Sequence, residues 1–525
     1  MSDNASGLKE DRKKVFKRAF SMATGTLTSR ILGLLRDMAL GALFDRHITD
    51  AWTAAFRLPN LFRRLFGEGS LSVSFIPVFI EAQGNDSSGA RSRNLINGLY
   101  TIFLIAFGVL ALLGILRTED VFRLLVSDTY AMHPEKWALT LRLGRIMFGF
   151  VFFVCLYAYF MAILNALGSF GLPAVAAALL NISMLLFTFL PPAWFPQMGD
   201  GLAWGVLVGG LLQATLLFGA LRSQGYLPTF RFSFWNRDVA KVLRYMLPGL
   251  AGMGLAQFST LVNLHFASAL PEGAISYIYW ADRLLELPLS LISVSLGAAV
   301  LPSLSEFAAR KETARFREVS QDNFSMNLFL AWPASLGLFF LAQPIVEVLF
   351  YRGHFSMQDV VATTAVLKVY ALSLLIVSCS RVLMPLYYAS QNTWFPAVAS
   401  VAGLVVHVLL APSLMAGQGL QGLVVAGLLG GLLHMILLLG GLSFWKLSFD
   451  WDSLLQSIVK MTAAGVGMSV VLKIHSLVTV EMTTGPRVLA LFVTILGAAL
   501  IYFGIAALLG SPEFAKIRPL FRRGS

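Results

Sequence analysis

The chain has 525 residues, of which 57% are hydrophobic and 13% charged, with a mean hydropathy of +0.73 and a formal net charge of +12. Soluble domains carry about 25% charged residues, so this balance excludes a soluble globular protein and points to a polytopic membrane protein. The positive charge does not call for nucleic acid, because the basic residues outside the apolar runs fall in loops that orientation rules place in the cytoplasm.

The start, LKEDRKKVFKRAF, is basic and lacks the apolar core and cleavage site of a signal peptide, so it reads as a cytoplasmic tail. Runs of about 20 apolar residues, enough to cross a hydrocarbon core of ~30 Å, then recur about fourteen times. They lie near 19–44, 49–82, 93–116, 137–166, 173–195, 200–222, 240–270, 274–308, 318–342, 358–389, 395–413, 418–443, 454–476 and 486–510. Runs such as TIFLIAFGVLALLGIL are continuous, which predicts helices; barrel strands would alternate over about ten residues. An even number of spans puts both termini on one side. The cytoplasm is then expected there, with Arg91 and Arg93, Arg222, Arg231 and Arg237, and Arg310, Lys311, Arg315 and Arg317 on the same side.

Five arginines fall inside the first two spans: Arg30 and Arg36, then Arg57, Arg63 and Arg64. An arginine at the centre of a lipid-facing helix costs about 2.5–3.5 kcal/mol, so a group of them needs a polar cavity or an anionic partner. Arg30 and Asp37 are seven apart and share a helical face, with Gly33 between them offering room for a bulky group. In the second span Asp50, Asn60 and Glu68 accompany the arginines, and Pro59 with Gly67 and Gly69 predicts a bent or interrupted helix. The plain alternative is internal bracing, Arg30 with Asp37. Against Asp37, Asp50 and Glu68 the arginines leave surplus positive charge, which a brace does not need.

Between the sixth and seventh spans, residues 223–239 mix aromatic and basic side chains as a segment at the headgroups would, a linker or hinge between two lobes. The eighth span holds SYIYWADRLLELP, where Ser276, Asp282, Arg283 and Glu286 repeat the mixture of cation, acid and hydroxyl; here the bracing alternative is Arg283 with Glu286. Arginine suits a phosphate-bearing ligand because its planar fork binds oxygens bidentately and keeps its charge in poor solvent. The seven histidines show no metal spacing, no Walker A sequence occurs, and Cys155 and Cys379 sit in apolar runs far from any CxxC. The expectation is therefore no metal, no cofactor and no enzymatic activity.

The chain repeats at a separation of about 221 to 226 residues. GLAWGVLVGGLLQ at 201–213 matches GLVVAGLLGGLLH at 422–434, LPAVAAA at 172–178 matches FPAVASV at 395–401, and Pro77 with Glu81 matches Pro302 with Glu306. The separation covers six spans, so equivalent helices keep their direction and the repeat is parallel. This predicts an N-lobe at 1–228, a C-lobe at 229–445 and a helix pair with a tail at 446–525.

The blocks SRILGLLRD, TDAWTAAFRLPNLFRRLFGEGSLSVSFIPVF, ILNALGSFGLPAVAAALLNISML and YIYWADRLLELPLSLISVSLGAAVLPSLSE, in order over essentially the whole chain, resemble the MviN/MurJ family of bacterial lipid II flippases. That resemblance implies the multidrug/oligosaccharidyl-lipid/polysaccharide exporter superfamily and a multi-pass protein of the bacterial cytoplasmic membrane. Its partners would be membrane lipids and lipid II, an undecaprenyl-pyrophosphate disaccharide pentapeptide, moved to the outer leaflet for peptidoglycan synthesis. It assigns substrate contact to Ser29, Arg30, Arg36, Asn60, Arg63, Ser276 and Arg283. Gating or charge pairing goes to Asp37, Asp50, Glu68, Asp282 and Glu286, with Arg57 and Arg64 as partners or braces. Alternating access through a central cationic cavity is the expected mechanism, with a coupling cation or the membrane potential as drive. A flippase for another polyprenyl-linked saccharide, a drug exporter and a non-transporting scaffold of envelope synthesis are the competing readings.

Overall fold

The computed structural model describes residues 28–67, 70–84, 89–444, 449–478 and 484–522. Glu68, the basic residues Lys9, Arg12, Lys13, Lys14, Lys17 and Arg18, and Arg523 lie outside the described residues. Among those described, every regular element is helical. Two units divide the chain, Met1–Ile275 and Ser276–Ser525.

The first unit comprises α1 (28–43), α2 (Arg46–Gly67), α3 (Ser70–Gly84), α4 (Ala90–Leu116), the short α5 (Thr118–Leu125) and α6 (Asp128–Ala131), α7 (Pro134–Ala166), α8 (Gly171–Thr188), α9 (Asp200–Ser223) and α10 (Arg237–Ser268). Its core forms around α7, which α2, α3, α4 and α9 all touch. A helix apolar all round belongs inside, and α7 carries Phe150, Val151, Val154, Cys155, Tyr159 and Phe160 among its buried residues. Its tyrosines keep their hydroxyls satisfied: Tyr159 donates to the Ile96 carbonyl at 2.6 Å and Tyr157 to the Pro173 carbonyl at 3.2 Å.

The second unit continues with α11 (Ala274–Leu289), a π-helical turn at Ser290–Val294, α12 (Ser295–Ala309), α13 (Thr313–Phe340), α14 (Ala342–Phe350), α15 (Met357–Ala389), α16 (Trp394–Phe444), α17 (Trp451–Val478), α18 (Thr484–Leu508) and α19 (Pro512–Arg522). Here α15 holds the place that α7 holds in the first, with α12, α13, α14 and α16 against it. It starts on a capping box, Ser356 accepting from Asp359 N–H while the Asp359 carboxylate accepts from Ser356 N–H. The α17–α18 pair packs on α13 through Phe329, Met461, Ala464, Met468 and Tyr502.

Among the described residues ten helices are long and apolar enough to cross a membrane, counting α2 with α3, or eleven if α13 and α14, bent by 69°, form one span. That is fewer than the fourteen expected: the described part of the first span is short, α10 is not among the ten, and α16 counts once. A continuous helix of 51 residues would be about 77 Å long. Instead α16 folds back at Gly419, whose φ of 54° and ψ of −129° suit a residue without a Cβ. Its halves then pack face to face, since a Cβ on Gly430 would stand 2.4 Å from the Gly403 carbonyl oxygen. The first unit shows the same packing between α8 and α9, where Cβ atoms on Gly205 and Gly209 would lie 2.9 and 2.8 Å from Phe187 and Leu180. The glycine stripes matched in the repeat thus do the same work in both units.

α2 runs as helix through Pro59 to Gly67, so the helix is not interrupted at the proline. Residues 226–236, in the segment expected to link the lobes, form no helix.

Candidate functional site

The chain leaves α1 through a short turn that its own charges cap. Arg46 donates from Nη2 to the carbonyls of Gly41 and Phe44 at 2.9 and 2.8 Å, a cation on the negative end of α1. Asp45 accepts from Ile48 N–H at 3.0 Å and starts α2.

On α1 the arginines part company. Arg36 is 5% exposed and Asp37 1%. Asp37 Oδ1 accepts from Arg36 Nε at 2.9 Å and from Nη2 at 2.7 Å, while Arg36 Nη1 donates to Asn181 Oδ1 at 2.9 Å. The Asn181 amide turns its other end to α1 and donates to the Ser29 carbonyl at 2.9 Å and to Ser29 Oγ at 3.2 Å. Asn181 on α8 therefore stitches Ser29 to Arg36 across the Gly33 face, where a Cβ would meet the Asn181 amide at 3.7 Å. Arg30 takes no part. It is half-buried and makes no hydrogen bond or ion pair among the described residues. The brace weighed as the alternative, Arg30 with Asp37, is replaced by Arg36 with Asp37, and the room expected beside Gly33 is occupied by Asn181.

On α2, Asp50 is buried and bound: Lys136 Nζ donates to Asp50 Oδ2 at 2.8 Å, and Gly273 N–H donates to the same oxygen at 2.8 Å. Lys136 lies 5.1 Å from the Tyr130 ring centroid, and the Tyr130 hydroxyl shares a 2.8 Å hydrogen bond with Thr140 Oγ1. Burial pushes the Tyr130 phenol well above its usual range. Asp50 thus ties the starts of α2 and α7 to the connection after α10, as a pairing residue. Further along α2, Arg63 Nε donates to Asn60 Oδ1 at 2.8 Å, and Arg57, Asn60, Arg63 and Arg64 are all half-buried.

In the second unit Ser276 is fully buried and Asp282 half-buried. Arg283 donates from Nη1 to Glu286 Oε2 at 3.2 Å and from Nη2 to the Tyr279 hydroxyl at 3.3 Å, and its guanidinium carbon lies 5.0 Å from the Tyr279 ring centroid. The brace weighed for this pair is present. Beyond it the π-helical turn directs Ser293 Oγ onto Asn327 Oδ1 at 2.8 Å, and Asn327 Nδ2 donates to Ser378 Oγ at 3.2 Å. This polar thread through three helices, like Asn181 and Lys136, is absent from the sequence reading. Lone amides and a lysine at a helix start carry no spacing signal.

Intramembrane arginines on a bundle of long apolar helices describe a membrane transporter, and the fold agrees. A solved inward-facing multidrug resistance MATE transporter of the MOP superfamily superposes with a TM-score of 0.68 at 14% identity, covering 82% of this chain and 98% of that one. A lipid II flippase MurJ in an inward closed conformation superposes with a TM-score of 0.75 at 23% identity, covering 92% and 98%. The family model described as lipid II flippase MurJ matches residues 40–496. The probable lipid II flippase MurJ of Bdellovibrio bacteriovorus is 62% identical over 518 residues, 99% of each chain. The lipid II flippase MurJ of Burkholderia cenocepacia is 31% identical over 436 residues, 82% of this chain and 84% of that one. The chain belongs to the MurJ family of lipid II flippases.

Proposed function

We propose that the protein carries lipid II from the inner to the outer leaflet of the bacterial cytoplasmic membrane, as a transporter and not as a catalyst. The observation that carries this reading is the contrast on α1. Within two turns of one helix, Arg36 is neutralised by Asp37 and held by Asn181, while Arg30 stays half-buried without an ion pair among the described residues. A cation kept at that cost in an apolar span is readied for an anion, and a pyrophosphate offers the oxygens that a guanidinium fork grips.

In this reading Arg30 and Arg63 face the pyrophosphate in a cationic cavity that opens to each side in turn. Arg36 sets the cavity wall through Ser29 and Asn181. The repeat supplies Arg283, with Asn60 and Ser276 as amide and hydroxyl contacts. Asp37, Asp50, Asp282 and Glu286 set when the arginines are free. Glu68 is assigned to the same gating set from its place after α2, and Arg57 and Arg64 support the wall. The lobes that move are 1–228 and 229–445, with 446–525 as an added pair, and both termini are cytoplasmic. Moving net charge across the bilayer involves about 2.3 kcal/mol per charge per 100 mV, so the membrane potential, alone or with a coupling cation, is the drive.

The test is reconstitution of Arg30→Ala, Arg63→Ala and Arg283→Ala proteins with a leaflet-sidedness assay for lipid II. Correctly inserted variants are expected to lose at least tenfold in translocation. Unimpaired translocation in all three would overturn the role given to these residues.

A further inference from the structure

The connection from α9 to α10 is held down along its length. Asn97 Oδ1 accepts from Thr229 N–H at 2.8 Å and Thr101 Oγ1 accepts from Arg231 N–H at 3.0 Å, so two buried side chains of α4 fix the backbone of the next segment. Gly98 between them allows close approach: a Cβ there would stand 2.4 Å from the Phe234 carbonyl oxygen. Asn236 donates to the Asn94 carbonyl at 3.4 Å and caps α10 by accepting from Val239 N–H at 2.9 Å. The first turns of α10 are then tied to α4 and α3 by Arg91, bidentate on Asp238 at 2.7 Å, and by Lys241 on Glu81 at 2.5 Å.

With one side of this strap fixed to α4, what the other side presents is fixed as well. Phe230, Phe232 and Trp235 are 45%, 89% and 64% exposed, and Arg222, Arg231 and Arg237 are exposed beside them. None of these three guanidinium groups makes an ion pair among the described residues. Aromatic and cationic side chains thus both reach solvent between the end of α9 and the start of α10.

We propose that this strap is a docking surface for anionic phospholipid headgroups on the face of the bilayer where α9 ends and α10 begins. Phenylalanine and tryptophan settle at the boundary between hydrocarbon and headgroups, and unpaired arginines beside them match phosphate oxygens. The strap needs no ordering on contact, because Asn97, Thr101 and Asn236 already hold it, and a preorganised surface binds without that entropy loss. Charge complementarity selects an anionic lipid over a zwitterionic one.

The experiment uses the full chain with Ser233→Cys carrying a polarity-sensitive fluorophore, in vesicles of phosphatidylcholine alone and of phosphatidylcholine with phosphatidylglycerol. Cys155 and Cys379 are buried and do not compete for the label. Expected are a blue shift and protection from acrylamide quenching with phosphatidylglycerol, reversed by salt. Titration with brominated phosphatidylglycerol reads the preference, which should fall about fivefold for each of Arg222→Gln, Arg231→Gln and Arg237→Gln. Asn97→Ala, which unpins the strap and keeps the arginines, should lower protection in both lipids. Equal protection in the two lipids, or a preference untouched in the triple arginine variant, would overturn the proposal. So would a label that acrylamide reaches equally in both, which would leave the surface to a soluble partner. None of these readouts involves translocation, so they stand or fall apart from the flippase reading.

Discussion

Lys136→Met tests the brace at the start of α2. Asp50 is 1% exposed and Lys136 7%, their charged atoms are 2.8 Å apart, and the Gly273 amide donates to the same Asp50 oxygen. Methionine keeps most of the lysine's volume but removes the ammonium from a carboxylate that stays buried. Breaking a buried pair in this way costs about 3–5 kcal/mol, whereas replacing both members is close to neutral. Adding Asp50→Asn, which still accepts from Gly273, should therefore recover at least about 2 kcal/mol of the loss. Stability can be followed in detergent by the rate at which Cys155 and Cys379, both buried, react with a maleimide dye during denaturant titration. A Lys136→Met protein as stable as the parent, or a double variant no better than the single one, would refute the pairing argument.

Asn181→Leu removes the amide oxygen that accepts from Arg36 Nη1 and both bonds to Ser29 but leaves the Arg36–Asp37 pair; a loss of about 1.5–3 kcal/mol is expected for the bond to the charged group, with slowed lipid II translocation. The same dye assay and the sidedness assay separate the two effects. In the α16 hairpin, Gly430→Ala places a methyl 2.4 Å from the Gly403 carbonyl oxygen and should cost about 1–3 kcal/mol or more, whereas Gly427→Ala meets the His407 ring at 3.6 Å and should be tolerated. Equal thermal stability of the two variants in detergent would count against the close crossing.

What could be read from the sequence was what a local run of residues determines. The spans expected at 93–116, 200–222 and 486–510 appear as Ala90–Leu116, Asp200–Ser223 and Thr484–Leu508, because continuous apolarity and a helical period suffice. The glycine matches at 201–213 and 422–434 were legible for the same reason, and the structure gives both a packing role. The site was less legible. Arg36 reaches Asn181 across 145 positions and Lys136 reaches Asp50 across 86, and one chain carries no trace of such pairings. The bracing alternative of Arg30 with Asp37 missed the pair that forms, Arg36 with Asp37. Adjacent helical residues do not ordinarily face each other, but the long Arg36 side chain turns back onto its neighbour. The separate spans expected at 395–413 and 418–443 agree with the fold-back of α16 at Gly419, whereas the π-helical turn at Ser290–Val294 was concealed because it does not interrupt the apolar pattern.

The turn at Gly419 has a bearing on how the protein is made. Two apolar helices joined through a single non-helical residue leave almost no hydrophilic chain to be threaded across the bilayer between them. Neither half needs to be released and oriented on its own; the pair can partition from the insertion machinery as one folded hairpin, with the Gly403 and Gly430 crossing already formed. A side chain at 419 would then be felt first during biosynthesis, as a polypeptide that stalls half-inserted, before it is felt in the stability of the finished bundle.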